Sequence, residues 1–225
     1  MTDYTLKVHD GCWPADNCRR NLGETMRPHR FWKIFAISAS LLAGLALLPV
    51  AASAMADDGS RDARAVVRDV NGTFLGVVTL TPSGGKLTVS GRLSGLTQGF
   101  HGFHVHAVGR CDPQAVDPST GNVVPFFTAG GHLNTTAATH GHHVGDLPVL
   151  YVSAGGSARS VVDVDALTFA AIFDADGAAV IVHALPDNLA NIPTRYSAAG
   201  VPGPDAATLN TGDSGGRVAC GVITR

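Results

Sequence analysis

Eight of the ten histidines in this 225-residue chain lie between positions 101 and 183, and their spacing is what could do chemistry. His104-Val105-His106 sits in a run with strand character, where a period of two turns both imidazoles to one face with Cα atoms roughly 7 Å apart. Two ring nitrogens can then meet one ion. Further on, His132 is followed at spacings of eight, three and three by His140, His143 and Asp146. Three imidazoles and one carboxylate make a tetrahedral zinc set, and closing around the ion would order a loop with little apolar content. His183 ends the apolar run Ala179-Val180-Ile181-Val182. A lone histidine there is usually structural, but a copper site built on the His104/His106 pair needs more imidazoles, and nitrogen-rich tetragonal ligation suits Cu(II).

The elements that must position these residues read as all-β. Runs at 63–70, 73–81 and 86–93 are β-branched and alternating, with Asn71-Gly72 as a two-residue hairpin turn and Pro82-Ser83-Gly84-Gly85 as the next turn. More runs lie at 102–108, 147–153, 160–165, 178–184 and 217–224, which makes eight strands. No stretch holds a helical period over three turns, so an antiparallel sandwich or barrel is expected. Two connections, 109–146 and 185–216, are long and rich in Gly, Pro, Asn and Thr. Loops of that length are uncommon unless functional, and these hold or adjoin the candidate ligands.

Composition adds a leader and a charge. Residues 1–25 are polar, carry Cys12 and Cys18, and fit no targeting pattern; they read as an extension before a start at Met26. From Met26 a basic stretch precedes 21 uncharged residues, Ile34 to Ala54, ending in Ala52-Ser53-Ala54. This is the order of a signal peptide over 26–54, with an uncleaved membrane anchor as the alternative. Export follows either way, to periplasm, cell envelope or medium. Residues 55–62 read as an acidic linker, and 63–225 as the domain. Of 16 basic and 18 acidic residues, six and four precede Asp57, which leaves ten and 14 and a net charge of −4. No basic run marks a nucleic-acid partner, and a membrane partner is expected only if the leader stays attached.

At this point the motifs resemble a known family. Gly102-Phe103-His104-Val105-His106, Gly131-His132-Leu133-Asn134, His143-Val144-Gly145-Asp146-Leu147, Val182-His183 and Gly216-Arg217-Val218-Ala219-Cys220-Gly221-Val222-Ile223 stand in the order seen in exported bacterial copper,zinc superoxide dismutases. The resemblance implies a Greek-key β-sandwich or barrel of eight antiparallel strands with two long functional loops. It implies copper held by His104, His106, His132 and His183, and zinc by His132, His140, His143 and Asp146, with His132 bridging through its two ring nitrogens. Asp187 matches an aspartate that orients one copper and one zinc histidine; a turn or helix-cap aspartate is the competing reading. Arg217 matches an arginine that attracts and orients a small anion. Cys220 matches the partner of Cys111, a disulfide suited to export, with buried free thiols as the alternative. His101 matches a structural histidine.

The implied reaction is disproportionation of superoxide to dioxygen and hydrogen peroxide, with copper as the redox shuttle and His132 leaving copper on reduction to deliver a proton. The zinc loop is shorter than is usual in the family, so His142 competes with His140 for the zinc. Ala107 replaces a frequent carboxylate and the second loop has few charges besides Arg195, so steering of the anion should be weak. A copper-carrying module without turnover and a structural envelope sandwich are the other classes considered; neither needs a bridging histidine or Arg217. Oligomeric state has no readable motif.

Overall fold

The computed structural model describes residues 62–225. The expected extension, signal peptide and all of the linker but Asp62 lie outside the described residues, as do Cys12 and Cys18.

Strands β1 (Ala63–Asp69), β2 (Phe74–Ser83) and β3 (Lys86–Ser94) form the expected meander. Burial alternates along β1, so alanines and Val67 face the core while Arg64, Val66 and Arg68 face water. The chain continues through β4 (Gly99–His101), β5 (Phe103–His106), β6 (Leu150–Val152), β7 (Ser157–Val164) and β8 (Ala179–His183). A two-residue pair, β9 (Ser197–Ala198) and β10 (Val201–Pro202), decorates the second long loop, and β11 (Arg217–Thr224) ends the chain. The sheet order is β4-β6-β7-β3-β2-β1-β11-β8-β5, antiparallel at every pairing.

The expected strand 102–108 is observed as the shorter β5, and before Gly102 stands β4, which the sequence reading did not include; the two pair with opposite ends of the sheet. The kink between them at Gly102 brings the barrel close to closure, because β4 and β5 are consecutive in the chain yet flank its two edges. Counting β4 and β5 as one bent strand gives the eight strands read from the sequence, and the barrel is nearly closed, with the outer edge of β5 taken up by the first long loop. The β3-to-β4 and β7-to-β8 connections pass over intervening strands, which is the Greek-key arrangement. Three short helical turns, Phe127–Ala129, Phe169–Ile172 and Ala206–Thr211, were not visible as periodicity because none exceeds six residues.

Burial in β8 explains its unbroken apolar run. Val180 and Val182 point into the barrel with Phe103, Val105, Leu80, Val89 and Leu150, while Ala179 and Ile181 join Phe126, Ala129 and Cys220 in a second cluster outside it. A strand covered on both faces has no polar side. The outer faces of β5 and β8 are thus roofed by the long loops, and the space under that roof holds the histidines.

Candidate metal centre

Phe103 and Val105 fill the barrel core, which by the strand period turns His104 and His106 outward under the loops, where they are 0% and 1% exposed. His183, at the end of the neighbouring β8, faces the same space and lies opposite Arg217 of β11. Between Arg217 and Ala219 the register slips by one residue. Such a bulge re-aims a side chain at a strand end.

The first loop returns to the free edge of β5 in two passes. Ala107 N donates to Gly131 O at 2.9 Å, Leu133 N to Val105 O at 2.8 Å, and Val105 N to Gly145 O at 2.9 Å. His132 and Asp146 are delivered by these backbone bridges, to His106 and His104 respectively. At Gly145 a side chain would collide with the Val105 carbonyl, so glycine permits the approach.

Hydrogen bonds sort the ring nitrogens. His104 Nε2 donates to Asp187 Oδ2 at 2.6 Å, His106 Nδ1 to Gly130 O at 2.9 Å, and His183 Nδ1 to Gly215 O at 3.1 Å. The other nitrogens are His104 Nδ1, which has no partner, and His106 Nε2 and His183 Nε2, which face each other at 3.3 Å. His140 Nε2 donates to Asp187 Oδ1 at 2.8 Å, which leaves its Nδ1. His132 turns Nδ1 toward Asp146 Oδ1 at 2.8 Å and His143 Nδ1 at 3.4 Å, and its Nε2 toward the other group. Two groups result, His104/His106/His132/His183 and His132/His140/His143/Asp146, with one atom from each residue within 4.8 Å of the others in its group. His132 is the shared member. His142 is exposed and belongs to neither group, whereas His140 is 4% exposed.

The test of whether metals fit lies in the buried atoms. His104 Nδ1, His132 Nε2 and His140 Nδ1 are buried without a hydrogen-bond partner, a costly state for polar groups in a protein interior unless something else engages them. Four imidazole nitrogens suit copper and three with a carboxylate suit zinc. The donor sets fit both ions.

Electrostatics of the metal-free chain agree with that division. Burial, then the charge on Arg217 and the neighbouring His132 and His183, hold His106 well below the ordinary imidazole range. Burial, reinforced by His104, lowers His183 to about 3. For His132 burial outweighs the Asp146 hydrogen bond and leaves it at about 4. These three imidazoles are neutral at pH 7, with lone pairs available to a metal. His140 goes the other way: burial opposes its charge, but the neighbouring carboxylates of Asp146 and Asp187 prevail and raise it to about 9. Both aspartates are held below the carboxylate range, since these histidine bonds outweigh their own burial.

Arg217 donates to Phe126 O and to Gly130 O, each at 2.5 Å. Gly130 O thus receives both Arg217 and His106. Phe126 itself has φ +59, an uncommon conformation for a non-glycine residue; its buried ring lies in the cluster with Cys220 and Cys111. Cys111 and Cys220 form a disulfide with Cα atoms 5.7 Å apart, which ties the first loop to β11 three residues after Arg217. His101 bonds the carbonyls of His183 (2.7 Å) and Thr97 (2.9 Å), bracing the kink. Sequence reading missed Gly212, Ser214, Phe126 and the Gly130 carbonyl. Only Gly212 carried a signal, as a helix-ending glycine.

An antiparallel Greek-key barrel with two ligand groups sharing one histidine defines a binuclear metalloprotein. The family profile described as copper/zinc superoxide dismutase (SODC) matches residues 74–223. Over 170 residues the chain is 44% identical to the superoxide dismutase [Cu-Zn] of Mycobacterium tuberculosis, covering 75% of this chain and 67% of that one. Among solved structures, the Cu/Zn superoxide dismutase from Brucella abortus aligns with TM-score 0.54 and 28% identity over 73% of this chain and 100% of that one. A clock protein, EA4, aligns with TM-score 0.54 and 29% identity over 72% of this chain and 92% of that one. The chain belongs to the copper/zinc superoxide dismutase family.

Proposed function

We propose that residues 63–225 act, after export, as a superoxide dismutase in which His104, His106, His132 and His183 hold copper and His132, His140, His143 and Asp146 hold zinc. The observation that carries the reading is His132. One nitrogen, Nδ1, lies among the zinc donors, and the other, Nε2, is buried without a hydrogen-bond partner beside the copper donors. A site built to bind one metal has no use for a histidine shared in this way.

Bound copper supplies the one-electron chemistry, by which two superoxide anions and two protons give dioxygen and hydrogen peroxide. The chain's own residues do the rest. Arg217, half-buried and fixed by two carbonyls, presents a permanent positive charge next to His183 and draws in the anion. His132 Nε2 is the atom that takes a proton between the two half-reactions and gives it to the reduced product, while Nδ1 stays engaged with the zinc group. Asp187 accepts from both His104 and His140 and so fixes one ring in each group. The Cys111–Cys220 bond favours an oxidising compartment; together with the basic-then-apolar order at 26–54 it supports export, with 1–25 as an extension outside the leader.

Metal analysis with a dismutase assay tests the reading. One copper and one zinc per chain with activity abolished in His132→Ala is the expected result; full activity in that variant would overturn it.

A further inference from the structure

Ser214 is 0% exposed, lies in the second loop three residues before Arg217, and plays no part in the roles assigned above. Its Oγ is 3.2 Å from Asp187 Oδ2. The two carboxylate oxygens of Asp187 have about four acceptor positions, and four donors use them. Leu189 N (2.6 Å) and His140 Nε2 (2.8 Å) reach Oδ1, while His104 Nε2 (2.6 Å) and Ser214 Oγ (3.2 Å) reach Oδ2. Asp187 accepts from His104 in one metal group and from His140 in the other. Ser214 is the only side-chain hydroxyl bonded to it among the described residues.

The hydroxyl is held where it is by the barrel kink. A side chain at Gly102 would place its Cβ 2.5 Å from Ser214 Oγ, so the serine fills the space that the glycine leaves open. The backbone is fixed as well, since Leu185 N donates to Ser214 O at 2.9 Å and Gly102 N to Leu185 O at 2.8 Å. With one acceptor within reach, the Ser214 proton points at Oδ2, the oxygen that also receives His104.

We infer that Ser214 is a positioning residue that tunes the copper ligand His104 through Asp187. The proposal rests on the two-metal reading above and deepens it. A carboxylate oxygen shared between two donors pulls less on each, and a buried carboxylate deprived of one donor concentrates its charge on those that remain. Removing the hydroxyl makes Oδ2 a stronger acceptor for His104 Nε2–H. The imidazole then becomes more electron-rich at Nδ1, its free nitrogen, and favours the more highly charged state of any metal held there.

Ser214→Ala keeps the size that Gly102 allows and removes only the hydroxyl. Two measurements on the full chain test the proposal. In the metal-free protein, nitrogen-15 and proton NMR of the His104 ring should show the Nε2–H resonance moved downfield in Ser214→Ala. In the copper- and zinc-loaded protein, redox titration should show the oxidised-to-reduced copper ratio at fixed potential raised about fivefold, the order of one modest hydrogen bond. Thr208→Val serves as the control: it removes another buried hydroxyl of the same loop, bonded to Asp205, Asp213 and Tyr196 but not to Asp187, and should lower stability while leaving both readouts in place. An unmoved His104 resonance in Ser214→Ala, or the same shift in both variants, would overturn the proposal. Failure to load copper at all would instead strike the metal reading, with the metal-free spectrum still deciding the role of Ser214.

Discussion

Gly212→Ala is predicted to damage the link between the two metal groups from a position that touches no metal. Gly212 has φ +67, and a Cβ there would overlap His140 Nε2 and stand 2.5 Å from Asp187 Oδ1. The left-handed conformation alone costs a non-glycine residue about 1–2 kcal/mol. Separating His140 from Asp187 removes a charge-assisted hydrogen bond worth about 1.5–3 kcal/mol, so the total is about 2.5–5 kcal/mol. Gly72→Ala provides the comparison, because Gly72 has φ +79 with open space around it and should show only the conformational cost of about 1–2 kcal/mol. Denaturant unfolding of the metal-free chain measures both. Competition with a chromophoric chelator should add a zinc affinity lowered about 10- to 100-fold in Gly212→Ala, the usual effect of losing a partner of a metal-binding histidine. If the two variants lost equal stability and Gly212→Ala bound zinc normally, the Asp187 link would not matter to the zinc group.

Other expectations follow from the same geometry. Cys111→Ser should cost about 5 kcal/mol by the chain-entropy relation for a bridge spanning 109 residues, and should lower activity as well because the loop that anchors Arg217 is released; denaturation and assay together check this. The metal-free chain should be most stable near pH 6.5. His140, raised to about 9, contributes stability that is complete below its ordinary value and is lost as pH rises toward 9, while His132 and His183, lowered to about 4 and about 3, contribute stability that is complete above it and is lost as pH falls toward those values. A monotonic pH profile of unfolding free energy would contradict this assignment. Zinc binding at pH 7 should release a proton from His140, read as a dependence of calorimetric heat on buffer ionisation enthalpy. The turnover rate should change little with ionic strength, since few cations besides Arg217 and Arg195 stand on the site's loops; a steep fall with salt would reveal steering from elsewhere.

The fold was legible where the two-residue period was clean. The meander of β1, β2 and β3 follows from alternating burial and the Asn71-Gly72 turn, and the apolar run before His183 is a strand covered on both sides. The bend at Gly102 was not legible, because the need for glycine there arises from Ser214, more than one hundred residues later in the chain. The histidines of the two groups stood out in the sequence because metal coordination demands particular side chains at short spacings. His140 is preferred to His142 on its spacing of eight from His132 alone, in a loop without period; in the structure His140 is buried between Asp146 and Asp187 while His142 is exposed. Asp187 was equally open as a turn aspartate, and it does cap a turn, accepting from Leu189 N, while also holding two histidines. Carbonyl contributions such as Gly130 O have no residue-type signature, so the anchoring of Arg217 is visible only in three dimensions.

The sharing of His132 between two ions is the claim on which the account depends most, and it has a direct spectroscopic test. Copper is loaded into the His104/His106/His183 group and cobalt into the His140/His143/Asp146 group, and the copper electron paramagnetic resonance signal is compared with that of the copper–zinc protein. A common imidazole couples the two spins, so cobalt should suppress the copper signal and His132→Ala should restore it. An unaltered copper signal with both groups filled would contradict the shared histidine.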